Sequence, residues 1–336
     1  MIKTAEFVSL GHPDKTADYI TSYILDRLIE QDKSVKYGVE VMVKDNTVVV
    51  GGEVCGNVSF EPLMIWVKDA LREIGYNERY AGLWGDNAIN INRIKVINLI
   101  GLQSPEINQG VMQNGWGDQG VFVGYACQGE DNLPKELYLA RKLANTFYEK
   151  AKQSDNLGLD IKAQITLDEK GHIQTAILAV PMRSPVQISD SEISEILGEK
   201  PSQIIVNGTG SYTSHSAVAD CGITGRKLAC DFYSTACPVG GGSPWTKDAT
   251  KADLTLNLYA RKLAIKYLGN NDECFVYLSS CIGKSKLPSA VVKTIKNGLV
   301  SYQNLNITET PSDMIISLNL NKPVYTEMCR KGLVLF

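Results

Sequence analysis

Glycine, lysine, arginine and aspartate crowd together at four places in this 336-residue chain, a combination suited to binding a strongly anionic group. The places are Gly11-His12-Pro13-Asp14-Lys15, Gly117-Asp118-Gln119-Gly120, Asp220 to Lys227 with Arg226, and Gly240-Gly241-Gly242 through Lys247, Lys251 and Asp253. Glycine lets backbone N–H groups approach a ligand, while lysine and arginine bring charge to phosphate oxygens. In the last stretch Lys247 and Lys251 stand four apart across a helix start, with Asp253 beside them. Two cations, the helix dipole and one hard-oxygen ligand for Mg²⁺ then converge, which suits a polyphosphate. A solvated helix N-terminus capped by Asp248 or Thr250 explains one such loop taken alone. Four in one chain exceed what turns require.

Other chemistries fail their spacing tests. Gly283-Lys284-Ser285 imitates the end of a Walker A loop, but Leu278 stands where the earlier glycine is needed, and no Gly-x-Gly-x-x-Gly turn joins a strand to a helix. His12, His172 and His215 lack metal-site spacing, and His172 falls in a hairpin turn beside Gly171. The eight cysteines are dispersed without a Cys-x-x-Cys pair, which reads as reduced, mostly buried thiols. A net charge of −3 argues against a nucleic-acid or anionic-membrane binder. No stretch has signal-peptide or membrane-spanning character, so a cytoplasmic protein is expected.

The elements that must position these loops repeat. Ala140-Arg141-Lys142-Leu143-Ala144 recurs as Ala260-Arg261-Lys262-Leu263-Ala264. Leu133 to Lys152 and Ala249 to Leu268 read as amphipathic helices, each followed by two strand-like runs: Ile161 to Leu167 with Ile173 to Val180, and Cys274 to Ser280 with Ala290 to Ile295. His12 to Gln31 is a third such helix, followed by a hairpin of Val35 to Val43 and Val48 to Val54 around Asp45-Asn46. Further helices are predicted to begin at Glu61-Pro62 and at Ser189 or Asp190. Three related α+β domains packed about one another are the expected architecture.

Ser9 to Asp18, Val50-Gly51-Gly52-Glu53, Gln103 to Val111, Gly117-Asp118-Gln119-Gly120, Gly222 to Lys227 and Gly240 through Asp253 resemble, in order, the signature segments of the S-adenosylmethionine synthetase (methionine adenosyltransferase) family. The resemblance covers nearly the whole chain. It implies three similar helix-plus-sheet domains around a pseudo-threefold axis, with boundaries expected at 1–104, 110–218 and 219–336. It also implies formation of S-adenosylmethionine from ATP and L-methionine, with hydrolysis of the tripolyphosphate to pyrophosphate and phosphate. A homodimer with active sites between subunits is implied, a tetramer being the alternative.

The family's roles carry over to matching positions. His12, Lys162, Arg226 and Lys247 are the implied catalytic residues, with Lys227 also on the triphosphate. Asp118, Asp160, Tyr212 and Ile282 fall at nucleotide-side positions, with Tyr212 and Ile282 at the adenine. Glu53, Gln103, Asp220 and Lys251 match the methionine positions. A pair of Mg²⁺ ions is implied on Asp14 and Asp253, and an activating K⁺ on Glu40.

The chain departs from the family at Gly208, Ser211 and Tyr212, where proline, arginine and phenylalanine are usual, so altered nucleoside contacts are expected. The stretch from Gln109 to Gly117 is shorter than the family's closing loop, and the end at Phe336 lacks its aromatic and basic tail. Two other readings share the phosphate loops: a Mg²⁺-dependent polyphosphate or nucleotide hydrolase, and an inactive paralogue serving as partner subunit. Retention of Glu53, Gln103, Asp220 and Lys251 speaks against the first, and the intact charged set against the second.

Overall fold

The computed structural model describes residues 3–102 and 115–335. Period-two alternation is clearest in β2 and β6 among the strands: β1 (Lys3–Val8), β2 (Lys36–Lys44), β3 (Thr47–Cys55), β4 (Lys95–Leu102), β5 (Gly120–Cys127), β6 (Lys162–Leu167), β7 (Ile173–Ala179), β8 (Gln203–Val206), β9 (Gly222–Ile223), β10 (Glu273–Ser280), β11 (Ser289–Lys296) and β12 (Leu299–Asn304). The principal helices are α1 (Pro13–Gln31), α2 (Leu63–Ile74), α3 (Lys135–Gln153), α4 (Asp190–Leu197) and α5 (Ala252–Leu268). Their starts follow local chemistry. His12 caps α1 with Pro13 in its first turn, and the Ser189 hydroxyl accepts the Glu192 N–H at the start of α4.

The three anticipated hairpins, β2–β3, β6–β7 and β10–β11, lie in three separate four-stranded sheets. The sheet orders are β4-β3-β2-β9, β1-β6-β7-β8 and β12-β11-β10-β5. Each helix-and-hairpin unit lends its leading strand to another. β1 precedes α1 yet pairs with β6, β5 precedes α3 yet pairs with β10, and β9 precedes α5 yet pairs with β2. The exchange is cyclic, and the helix that leads each hairpin covers one borrowed strand and the first strand of that hairpin: α1 on β9 and β2, α3 on β1 and β6, α5 on β5 and β10. One continuous core runs from Ile24 and Val41 through Leu143 and Ile165 to Leu254, with a second centred on Phe122, Leu256 and Val276.

The repeated Ala-Arg-Lys-Leu-Ala segment acquires a physical role in this arrangement. Arg261, 4% exposed on α5, donates to the carbonyls of Tyr125 at 2.6 Å, Asp131 at 2.7 Å, Asn132 at 3.1 Å and Val334 at 3.1 Å. Arg141 on α3, equally buried, bonds the Lys331 carbonyl and stacks over Phe7. Both tie distant loops to a helix. Arg261→Met strands buried carbonyls and is expected to cost about 3 kcal/mol, read as a lowered urea midpoint. Lys262→Met, whose side chain reaches solvent, should change stability by less than about 0.5 kcal/mol.

Candidate active site

His12 accepts the Asp14 N–H on Nδ1 at 3.2 Å. A neutral ring whose Nδ1 accepts carries its proton on Nε2, so Nε2–H is a donor. Burial, then the Lys227 cation, lowers the His12 pKa to about 3 against the opposing pull of Asp14, which keeps the ring neutral at physiological pH. Asp14 is 1% exposed; its Oδ1 accepts the Ile223 N–H at 2.9 Å and its Oδ2 meets Lys227 Nζ at 2.5 Å. Arg226 Nε lies 3.7 Å from Oδ1. Burial opposes the Asp14 charge, but the Lys227 and Ile223 hydrogen bonds prevail and hold its pKa below the usual value. Gly222 is what lets β9 come so near, since a Cβ there would stand 2.2 Å from the Pro13 carbonyl oxygen.

Lys162, the first residue of β6, adds a third cation, and its field lowers the His12 pKa further. Asp160 accepts the Ser216 N–H at 3.0 Å, and burial pushes its carboxyl up to about 7 despite that bond and Lys162. Asp220 and Asp14 reinforce the rise, so all three carboxylates share one neighbourhood with His12. Tyr212 adjoins it: burial, then Asp160, raises its phenol pKa.

A second group gathers at the start of α5. Lys247 Nζ pairs with Asp253 Oδ2, the Gly242 N–H donates to Asp253 Oδ1 at 2.8 Å, and Lys251 Nζ lies 3.6 Å from Asp248. Among the described residues, no hydrogen bond or ion pair joins a side chain of this group to one of the His12–Asp14 group. What connects them is the outer face of a sheet. Register places Ile97, Val49, Met42 and Ile223 in one row across β4, β3, β2 and β9. The next row holds Leu99, Gly51 and Glu40, and the third holds Gly101, Glu53 and Gly38, where Lys247 forms a bridge. Met42, Ile97, Leu99 and Ile223 are 39%, 46%, 64% and 36% exposed. Asp14, through Ile223, and Lys247 therefore meet this face at separate points along the same outer edge of β2.

Family models for the N-terminal, central and C-terminal domains of S-adenosylmethionine synthetase match residues 1–105, 113–212 and 214–334. The chain belongs to the S-adenosylmethionine synthetase family. It is 32% identical to the S-adenosylmethionine synthase of Helicobacter hepaticus over 98% of this chain and 91% of that one, and to that of Sulfurimonas denitrificans over 98% and 90%. A solved structure described as an unusual S-adenosylmethionine synthetase, from Campylobacter jejuni, superposes with a TM-score of 0.85 at 31% identity, covering 98% of this chain and 94% of that chain. The three helix-and-sheet units are therefore the fold of an S-adenosylmethionine synthetase.

The remaining expected positions of this synthetase fold lie apart from the two groups. Glu40 is exposed on β2 and accepts the Thr224 hydroxyl. Asp118 is exposed before β5, its carbonyl accepting the Ser280 hydroxyl at 2.8 Å, and the 54% exposed Ile282 follows, bridged to Trp116. Gln103 and most of the short 109–117 stretch lie outside the described residues. Lys15, read from sequence among the phosphate cations, instead turns inward: it is 2% exposed and pairs with Asp18 at 3.0 Å and Asp231 at 2.6 Å. The i, i+3 spacing of Lys15 and Asp18 was its available signal. Tyr76, which no sequence motif singles out, donates its hydroxyl to the Gly11 carbonyl at 2.5 Å beside His12.

The donor set fits Mg²⁺. Among the described residues, no cluster of three or more His, Cys, Asp or Glu side chains forms a closed metal cage. Asp14 and Asp253 instead offer single carboxylates next to the Lys227 and Lys247 cations, a pattern that suits an ion completing its shell from other oxygens. No helix among the described residues is long and apolar enough to cross a membrane.

Proposed function

We propose that this chain is a methionine adenosyltransferase, forming S-adenosylmethionine by attack of the methionine sulfur on C5′ of ATP. The observation that carries the reading is a neutral His12, with its proton on Nε2, beside Asp14, Arg226, Lys227 and Lys162. A thioether sulfur has no proton to lose, so the reaction needs no general base. It needs alignment and a stabilised triphosphate. His12 Nε2–H donates to the oxygen leaving C5′, while Lys162, Arg226, Lys227 and Lys247 neutralise the phosphates. Asp14 and Asp253 hold a pair of Mg²⁺ ions, which when bound screen the triphosphate charge. Glu40 holds an activating K⁺.

Glu53, Gln103, Asp220 and Lys251 bind methionine, the carboxylates meeting its ammonium and the amide and lysine its carboxylate. Asp118 and Asp160 serve the nucleotide and methionine ends of the pocket, and Tyr212 with Ile282 covers adenine. With the nucleophile spent, Arg226 steadies the tripolyphosphate through its hydrolysis to pyrophosphate and phosphate.

The active unit is a homodimer built on the sheet face. Its exposed Met42, Ile97, Leu99 and Ile223 need a cover, and a twofold axis through that face carries Lys247 and Asp253 of one copy toward His12 and Asp14 of the other. The cytosol is the expected location. Leu99→Lys, at a position 64% exposed in the single chain, should leave the subunit folded, shift the mass seen by light scattering from dimer to monomer, and lower turnover by at least about tenfold. A fully active monomer would refute the shared site.

The deciding assay supplies ATP, L-methionine, Mg²⁺ and K⁺ and reads products by mass spectrometry. S-adenosylmethionine with pyrophosphate and phosphate, dependent on methionine, is the expected outcome. Phosphate release indifferent to methionine points to the hydrolase, and neither product to an inactive partner subunit.

A further inference from the structure

Behind Asp160 lies a buried aromatic cluster to which the reaction assigns nothing. Tyr80 stacks on Trp84 with ring centroids 5.5 Å apart, and the His215 ring meets Trp84 edge-on at 4.6 Å. His215 is 1% exposed and bonded at both nitrogens, Nδ1 to the Thr213 carbonyl at 2.7 Å and Nε2 to the Tyr80 hydroxyl. A carbonyl only accepts, so Nδ1 carries the proton and Nε2 accepts the Tyr80 O–H. The Tyr80 oxygen in turn accepts the Leu159 N–H at 3.2 Å. A directed chain therefore runs Leu159 N–H to Tyr80 O–H to His215 to Thr213, with one end at the residue preceding Asp160. Burial lowers the His215 pKa to about 4, so the neutral ring this polarity requires is present at physiological pH.

The residue after His215 completes the arrangement. Ser216 has φ of +59°, in the left-handed region that costs a serine about 1–3 kcal/mol unless its surroundings impose it. They do: the His215 N–H is bonded to the Asn87 carbonyl at 2.9 Å, and the Ser216 Oγ accepts the Ile89 N–H at 3.0 Å. In that conformation the Ser216 N–H donates to Asp160 Oδ2 at 3.0 Å. Gly158, on the other side, leaves the ring its space, since a Cβ there would sit 2.9 Å from His215 Nε2.

We propose that His215 is a positioning residue for Asp160, holding the carboxylate from two sides: through the Ser216 N–H and through Tyr80 and Leu159. This rests on the reading that Asp160 meets a substrate. His215 touches no substrate itself, and its contribution is to fix where the Asp160 oxygens stand.

The test compares wild type, His215→Gln, Tyr80→Phe, Asp160→Asn and the double variant His215→Gln/Asp160→Asn. Tyr80→Phe keeps the ring and removes only the hydroxyl, so it breaks the chain where loss of the imidazole would disturb packing. Both single changes should raise KM, by roughly tenfold for His215→Gln, for the same substrate that Asp160→Asn affects, with kcat less changed. The double variant should be no worse than Asp160→Asn alone, because both changes remove one interaction. Losses that multiply in the double variant overturn the inference.

Hydrogen exchange gives a readout independent of turnover. The Ser216 amide should exchange faster in His215→Gln while amides of α1 and β6 keep their protection. Unchanged Ser216 exchange overturns the inference even in an active enzyme. A wild type that forms no S-adenosylmethionine defeats the functional reading instead, and the exchange result still decides the role of His215.

Discussion

His12→Asn should lower kcat by roughly 10²–10³-fold while leaving the thermal midpoint within a degree or two of wild type, because a single donor aimed at a leaving oxygen contributes on that scale. The two effects separate for a structural reason. His12 has two jobs: its Nδ1 caps α1 by accepting the Asp14 N–H, and its Nε2–H faces the triphosphate in the proposed reaction. Asparagine is a strong N-cap and keeps the first job. It cannot place a donor where Nε2 stands. The KM values for ATP and methionine should move far less than kcat, since the oxygen acquires its charge only as the C5′ bond breaks. Near-normal turnover in His12→Asn would remove the histidine from the mechanism.

Lys15→Met should cost about 3–5 kcal/mol, the largest stability loss expected of any single change near the site. Lys15 lies between Asp18 and Asp231, under the Trp245 ring at 4.3 Å, and Trp245 donates its indole N–H to Asp231 at 2.7 Å. All three charged residues are at most 2% exposed. Removing the ammonium leaves two carboxylates buried against each other. A methionine of similar volume fills the space but answers neither charge. Urea unfolding measures the loss, and adding Asp18→Asn with Asp231→Asn should restore part of it. If Lys15→Met instead keeps its stability and loses turnover, Lys15 is a phosphate ligand after all.

Lys15 also marks where sequence reasoning reaches its limit. Helix and hairpin periods are written in neighbouring residues, so α1, α3, α5 and the three hairpins were legible. The glycine-and-charge loops likewise announced Asp14, Arg226, Lys227, Lys247 and Asp253, which the structure draws into two groups. What a charge faces is a long-range matter. The nearby Asp18 is a local hint for Lys15, but its second partner, Asp231, lies over two hundred residues away, just as Lys227 meets a distant Asp14. His215 shows the same limit from the other side. Its spacing from the other histidines says nothing of its partners, Tyr80 and a backbone carbonyl. The lending of β1, β5 and β9 between sheets was equally invisible, since strand propensity does not say which partner a strand will find.

That lending governs how the chain can be made. During synthesis β2 emerges early, yet the strand that closes its open edge, at Ile223, is translated about 180 residues later. β1 likewise waits for Lys162–Leu167. No third of the polypeptide can finish its own sheet, so cutting the gene at either junction would leave bare strand edges on every fragment. Calorimetry on the intact chain should accordingly record one cooperative melt, and refolding should be slow, limited by contacts between residues far apart along the backbone.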